Sequence, residues 1–66
     1  MQIVVNGETQ RLDVGATVAD LVRVLQLVPE RVAVELNGQL VRRAIHAETP
    51  LRDGDRVEIV TLVGGG

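Results

Sequence analysis

Apolar and polar residues in the first quarter of the chain predict a β-hairpin. Residues 2–6 contain a continuous apolar run, which is typical of a well-buried strand. Asn6-Gly7 follows, and because both residue types tolerate positive φ, the pair predicts a two-residue type I′ turn. Residues 9–14 then alternate between polar and apolar, as expected of a half-buried edge strand that ends at Gly15.

The next segment has the periodicity of an amphipathic helix. Its apolar residues fall at positions i, i+3, i+4 and i+7: Val18, Leu21, Val22 and Leu25. Thr17 is a typical N-cap residue, and Asp20 three positions later supplies the acid of a capping box. Since proline cannot continue a helix, Pro29 predicts that this helix ends near Leu27.

The second half of the chain predicts three further strands separated by turns. In order, the segments are a strand over 31–37, a turn at Asn37-Gly38, a short strand over 39–41, an irregular stretch over 42–51, a turn at 53–55 and a strand over 56–62. One helix and four or five strands predict an α+β domain, in which the helix packs across one face of a single mixed sheet.

The opposite face of this sheet has no second layer to cover it. The first and last strands are the most apolar and are expected to form the central pair, with four residues facing the helix: Ile3, Val5, Val57 and Ile59. Val4, Val60 and Leu62 then point from the open face. Exposed apolar patches are typical of interaction sites, which makes these residues candidates for docking. The alternative is that neighbouring long side chains shield them.

Composition narrows the classes of function. The chain has 66 residues, no cysteine, no aromatic residue and a net charge of −2. Disulfides and thiolate metal sites are excluded, and a nucleic-acid binder would show a basic stripe, often with aromatic residues. No apolar run is long enough to cross a membrane, and no signal peptide is recognisable. We therefore expect a cytoplasmic protein that contacts neither nucleic acid nor membrane and holds no metal or cofactor.

Candidate catalytic residues are few. His46 is the only histidine, and the chain has neither serine nor cysteine to pair with it, so a surface or loop-packing role is favoured over catalysis. Arg42 and Arg43 are interpreted as a solvated pair, with contact to an acidic partner as the alternative. Glu35, expected on the open face, is a hypothetical determinant of partner choice. A small enzyme is the least favoured class of function.

Five segments resemble the ThiS group of sulfur carriers, within the ubiquitin-like β-grasp fold. They are Val5-Asn6-Gly7-Glu8, Ala16-Thr17-Val18, residues 32–38, residues 53–60 and the final Gly64-Gly65-Gly66. The resemblance spans essentially the whole chain and implies a β-grasp domain over 1–63 and a flexible glycine tail over 64–66. The chain departs from the family in having three final glycines instead of two, and Arg42-Arg43 where a proline often precedes an arginine.

The resemblance also implies the chemistry. An E1-like ThiF-type enzyme would consume ATP to adenylate the C-terminal carboxylate of Gly66, and sulfur from a cysteine desulfurase would convert it to a thiocarboxylate. A ThiG-type thiazole synthase would then receive the sulfur in thiamin biosynthesis. The chain would be a cosubstrate, not an enzyme. The docking residues would be Val4, Val60, Leu62, Val63, Gly64 and Gly65.

Glycine suits a tail that enters another protein. Without Cβ, Gly64 to Gly66 allow close approach of other backbones, and three extended residues reach about 10 Å.

A glycine-rich end is also common in frayed tails. Three alternatives therefore stay open: a sibling carrier for molybdopterin, tRNA thiolation or cysteine synthesis; a ubiquitin-like protein modifier; and a binding module with an inert tail.

Overall fold

The computed structural model describes residues 1–62, which form one five-stranded sheet with a helix packed on one face. The strands are β1 (Gln2–Val5), β2 (Glu8–Arg11), β3 (Val32–Leu36), β4 (Gln39–Val41) and β5 (Arg56–Thr61), and the helix is α1 (Val18–Val24). Short 3₁₀ helices span Pro29–Arg31 and Arg43–Glu48. The predicted α+β class and β-grasp architecture are confirmed. The predicted boundary between domain and tail, at residues 63 and 64, lies outside the described residues.

The sheet is mixed, with strand order β2-β1-β5-β3-β4. β1 and β5 are parallel neighbours, and every other pair is antiparallel. The first and last strands are therefore adjacent at the centre of the sheet, as the apolar runs predicted. The four residues expected to face the helix are all buried, and together with α1 they form one hydrophobic core.

Both predicted Asn-Gly turns have positive φ at each central residue. Asn6 and Gly7 have φ of 50° and 82°, and Asn37 and Gly38 have 51° and 87°. This is the backbone of a type I′ turn, whose twist matches that of the strands it joins. The prediction of two tight hairpins is therefore confirmed.

β2 is shorter than the alternating pattern predicted. It ends at Arg11, whereas the sequence predicted a strand as far as residue 14. The chain turns immediately afterwards, since the N–H of Ala16 donates to the carbonyl of Asp13 at 3.1 Å. Val14 consequently lies on this turn and is 88% exposed, although its place in the alternation suggested a strand residue.

The N-terminus of α1 carries the predicted capping box. The N–H of Asp20 donates to Oγ1 of Thr17 at 3.2 Å, and the N–H of Thr17 donates to a carboxylate oxygen of Asp20 at 2.8 Å. The hydrogen bond from the backbone of Thr17 lowers the pKa of Asp20, with smaller contributions from the Thr17 hydroxyl and from Arg23. Arg23 forms an ion pair with Asp20 one turn further on. These bonds satisfy amide groups that helix geometry leaves without partners.

The C-terminus of α1 differs from the prediction. The helix ends at Val24, three residues before the predicted end at Leu27. Gln26 takes a φ of 58°, and the N–H groups of Gln26 and Leu27 return to the carbonyls of Arg23 and Val22 at 2.9 and 3.0 Å. This is a Schellman motif, which ends the helix before the later proline can do so.

Gln26→Gly is expected to stabilise the domain. The left-handed conformation costs a residue with a Cβ about 1 kcal/mol, whereas glycine adopts it freely but gains entropy in the unfolded chain. We therefore expect a net gain of about 0.5 kcal/mol in the free energy of unfolding, measured by urea denaturation. Gln10→Gly is the matched control, because Gln10 lies in β2 without positive φ and should lose stability. Equal losses in both variants would contradict this account.

The stretch over 42–51, predicted as irregular, contains the 3₁₀ helix Arg43–Glu48, which packs against α1. His46 is 5% exposed, and its Nε2–H donates to the carbonyl of Val41 at 3.1 Å. The loop-packing interpretation of His46 is therefore confirmed. Arg42 and Arg43 are exposed, in agreement with the prediction of a solvated pair.

Candidate docking face and glycine tail

The sheet face that lies opposite α1 exposes apolar side chains near the end of β5. Alternation along this strand buries Val57 and Ile59 against the helix, so Val60 points the other way. Val60 is 58% exposed, and Leu62, just beyond the strand, is 52% exposed. The structure therefore places Val60 and Leu62 on the open face, where the sequence predicted them.

Val4 lies on the same face but at a distance from the other two residues. It is half-buried and pairs in register with Arg56, four positions before Val60 along β5. At about 3.3 Å per residue this separates Val4 from Val60 by about 13 Å. The apolar surface next to the tail therefore consists of Val60 and Leu62, without Val4.

Two further apolar residues lie on the open face and were missed by the sequence analysis. Leu40, on β4, is 66% exposed, and Ala33, on β3, is half-buried directly opposite Val60. The alternation of β4 carried a signal for Leu40, because its neighbour Val41 is buried and must point to the core. Which residue lies opposite Val60 depends on the register between distant strands.

Hydrogen bonding between β5 and the β3 side of the sheet continues as far as Leu62, the last described residue. The N–H of Leu62 donates to the carbonyl of Arg31 at 2.7 Å. The four positions that complete the predicted docking and reactive set lie outside the described residues: Val63, Gly64, Gly65 and Gly66. Four extended residues span at most about 14 Å. A protein that binds the end of this segment must therefore lie close to Leu62.

Asn6 joins its turn to the central strand. Its Nδ2 donates to the carbonyl of Ile59 at 3.0 Å, and its Oδ1 accepts from the N–H of Ile59 at 2.8 Å. The backbone N–H of Asn6 also donates to the carbonyl of Val57 at 2.9 Å. The side-chain amide thus replaces a strand residue and continues the pairing with β5 beyond the last residue of β1.

Asn37 makes similar bonds on the other side of β5. Its Oδ1 accepts from the N–H of Arg56 at 2.9 Å, and its Nδ2 donates to the carboxylate of Asp55 at 3.1 Å. The two hairpin turns therefore fix the strand that leads to the tail from both sides. The sequence predicted both turns but not these bonds, because they join residues far apart in the chain.

A groove of about 810 Å³ lies on the helical side of the domain, between α1 and the 3₁₀ helix Arg43–Glu48. Its lining includes three alanines, Arg43 and His46, and it contains no serine or cysteine. Among residues 1–62, no three His, Cys, Asp or Glu side chains are grouped to hold a metal ion. Within the same residues, no helix is long and apolar enough to cross a membrane.

Comparison with known proteins identifies the family. The model of the ThiS family matches residues 3–66, which is nearly the whole chain. The chain belongs to the ThiS family. A crystal structure of the thiamine biosynthesis protein ThiS from Geobacter metallireducens superposes on this ThiS-family chain with a TM-score of 0.85 and 36% identity, covering all of both chains.

Curated relatives include both short and long proteins. The sulfur carrier protein ThiS of Thermus thermophilus is 38% identical over 61 residues, which cover 92% of this chain and 94% of the relative. A thiazole synthase of Paramagnetospirillum magneticum is 38% identical over all 66 residues. The present ThiS-family chain spans 20% of the length of that synthase.

Proposed function

We propose that this ThiS-family chain is a sulfur carrier in thiamin biosynthesis. The observation that carries this proposal is the match to the ThiS family over residues 3–66, which includes the three final glycines. The similarity to the Thermus thermophilus carrier over nearly the full length of both chains supports it. In this role the chain is a cosubstrate, and the enzymes that load and unload it carry the catalytic groups.

The reactive group is the carboxylate of Gly66. A carboxylate is a poor electrophile, so a ThiF-type enzyme first converts it with ATP to an acyl-adenylate and releases pyrophosphate. A persulfide supplied by a cysteine desulfurase attacks the acyl carbon and displaces AMP. A thiol then reduces the acyl disulfide, leaving a thiocarboxylate, a soft nucleophile that a ThiG-type thiazole synthase accepts as its source of sulfur.

The folded domain supplies the binding energy for this reaction. Ordering a glycine segment inside an enzyme costs entropy, about 1–2 kcal/mol for each residue that is fixed. Contacts between the enzyme and the folded domain must offset this entropic cost. The exposed Val60 and Leu62 lie beside the start of that segment, so an enzyme that receives the tail can also cover them.

The proposal is tested by the mass of the intact protein. We incubate the chain with ATP, a ThiF-type enzyme, a cysteine desulfurase and cysteine, and expect one terminal oxygen to be replaced by sulfur. Omission of ATP is the control and should leave the mass unchanged. An unchanged mass with partners that load a known ThiS would contradict the proposal. Transfer of the sulfur to a molybdopterin or tRNA acceptor, but not to thiazole synthase, would assign a sibling pathway.

Truncation of the apolar docking residues should weaken both enzyme complexes. The double variant Val60→Ala, Leu62→Ala removes exposed side chains, so we expect the domain to stay folded while each dissociation constant rises about tenfold. Isothermal titration calorimetry measures the affinity. Val14→Ala is the control, because Val14 is more exposed than either residue but lies on the turn after β2. Unchanged affinities in the double variant would remove Val60 and Leu62 from the interface.

A further inference from the structure

Two carboxylates lie directly opposite each other on the open face. Glu35 of β3 pairs in register with Glu58 of β5, and both side chains are exposed. The Cβ atoms of directly opposed residues are about 5 Å apart, and like charges in this arrangement destabilise a sheet. Within residues 1–62 neither carboxylate takes part in an ion pair. The fold therefore keeps a repulsive pair that an unbound domain does not need.

Apolar residues flank the two carboxylates. Leu40 of β4 is the cross-strand neighbour of Glu35, and Val60 follows Glu58 by two residues on the same face. Arg56, two residues before Glu58, is the cation nearest to the pair along β5, and it lies level with Val4, away from Val60. A partner that covers Leu40 and Val60 together must also cover Glu35 and Glu58.

An apolar partner surface would be a poor match for this arrangement. Burial of a carboxylate without a counter-charge costs several kcal/mol, and two such groups would outweigh the gain from covering Leu40 and Val60. A guanidinium or ammonium group placed between the carboxylates removes both the desolvation cost and their mutual repulsion. The face thus fits a protein surface that presents a basic side chain among apolar ones.

The position of the tail indicates which proteins cover this face. β5 runs through Glu58 and Val60 and ends at Thr61, Leu62 follows it, and the four residues after Leu62 reach about 14 Å at most. An enzyme that acts on Gly66 therefore lies within about 14 Å of Leu62, near the end of the sheet where Val60 is exposed. Among such enzymes the comparisons point to thiazole synthase, since a curated thiazole synthase contains a segment similar to the whole chain.

We propose that Glu35 and Glu58 form the specificity determinant of the open face, by accepting one Arg or Lys side chain of the sulfur-accepting thiazole synthase between them. This inference rests on the proposed function and deepens it. The two carboxylates repel each other in the free domain and attract the basic side chain in the complex. Their neutralisation should therefore stabilise the free domain and weaken the complex.

The test uses the variants Glu35→Gln, Glu58→Gln and the double variant, with purified thiazole synthase as the probe. We expect each single variant to raise the dissociation constant about tenfold. The double variant should also lose most of the salt dependence of binding. In the same proteins the melting temperature should rise, because the cross-strand repulsion is gone. A merely structural role would not raise stability while lowering affinity.

Two acidic residues elsewhere provide matched controls. Glu30 and Glu48 are exposed, Glu30 lines the groove on the helical side of the domain, and Glu48 ends the 3₁₀ helix that packs against α1. Glu30→Gln and Glu48→Gln each change the net charge by the same amount as a single test variant, and combined they match the double variant. We expect both controls to bind the synthase with wild-type affinity. This result would show that affinity depends on the position of the charge and not on the net charge of the chain.

Four results would overturn the inference. A double variant that binds the synthase as tightly as wild type, while the wild-type chain still accepts sulfur on Gly66, overturns this inference alone. Equal weakening by the control variants, or weakening confined to the ThiF-type enzyme, also overturns it. A wild-type chain that neither accepts sulfur nor binds the synthase overturns both this inference and the proposed function.

Discussion

Deletion of Gly66 is expected to abolish sulfur loading completely while the stability of the domain stays unchanged. Removal of one residue withdraws the terminal carboxylate by about 3.5 Å. In an enzyme active site a displacement of about 1 Å already costs around a hundredfold in rate, so the shortened chain should not reach the nucleotide. The core and the hydrogen bonds that hold the sheet lie within residues 1–62, so they do not depend on Gly66.

The measurement is the intact mass after incubation with the complete loading system, together with urea denaturation of each protein. Gly66→Ala is the matched variant, because it keeps the length and the carboxylate but adds a Cβ at the reacting residue. We expect it to load more slowly than wild type and to unfold at the same urea concentration. A shortened chain that still gains one sulfur atom would show that the reactive carboxylate does not need to lie at position 66.

Asn6→Ala is expected to cost the domain about 2–3 kcal/mol of unfolding free energy. The substitution removes both side-chain bonds to Ile59 and leaves an N–H and a carbonyl of the central strand without these partners. Alanine must also adopt the positive φ of residue 6, which asparagine tolerates better. Since a core of this size supplies only about 3–5 kcal/mol, the variant should retain about 0–3 kcal/mol and have a measurable unfolded fraction at 37 °C.

Two further variants divide this loss between its causes. Asn6→Gly removes the same bonds, and its relief of the positive φ is largely offset by the entropy that glycine adds to the unfolded chain, so most of its loss relative to wild type reports the hydrogen bonds to Ile59. Asn37→Ala imposes the same positive φ on alanine but removes bonds to Arg56 and Asp55 that are exposed, so we expect a smaller loss of about 1–2 kcal/mol. Urea denaturation measures all three. An Asn6→Gly variant as stable as wild type would show that the side-chain bonds contribute nothing.

Elements defined by neighbouring residues were predicted well. The capping box of Thr17 and Asp20 depends on residues three positions apart, and each Asn-Gly turn depends on two adjacent ones. The period of two along the first and last strands likewise identified Ile3, Val5, Val57 and Ile59 as residues of the buried face. These features were predictable because the groups that interact are close in the chain.

The ends of α1 and β2 were predicted less well, because competing local signals decide where each element stops. The Schellman motif at Gln26 stops α1 before Pro29, yet glutamine carries no signal for a left-handed conformation. The alternation through Val14 suggested a longer β2, but a turn closed by Asp13 and Ala16 overrides it. In both cases a hydrogen bond formed by the folded backbone decides the boundary.

The sequence by itself determined the β-grasp class, the central pairing of the first and last strands, and the position of Val60 and Leu62 on the open face. Periodicity indicated which face each residue occupies, and the long apolar runs indicated the central pairing, whereas the β-grasp class was implied by the resemblance of five segments to the ThiS group. The tertiary structure alone decided that Glu35 lies opposite Glu58, that Leu40 borders them, and that Asn6 bonds to Ile59. Those pairs join separate strands, and their alignment is fixed only when the sheet and its core form together.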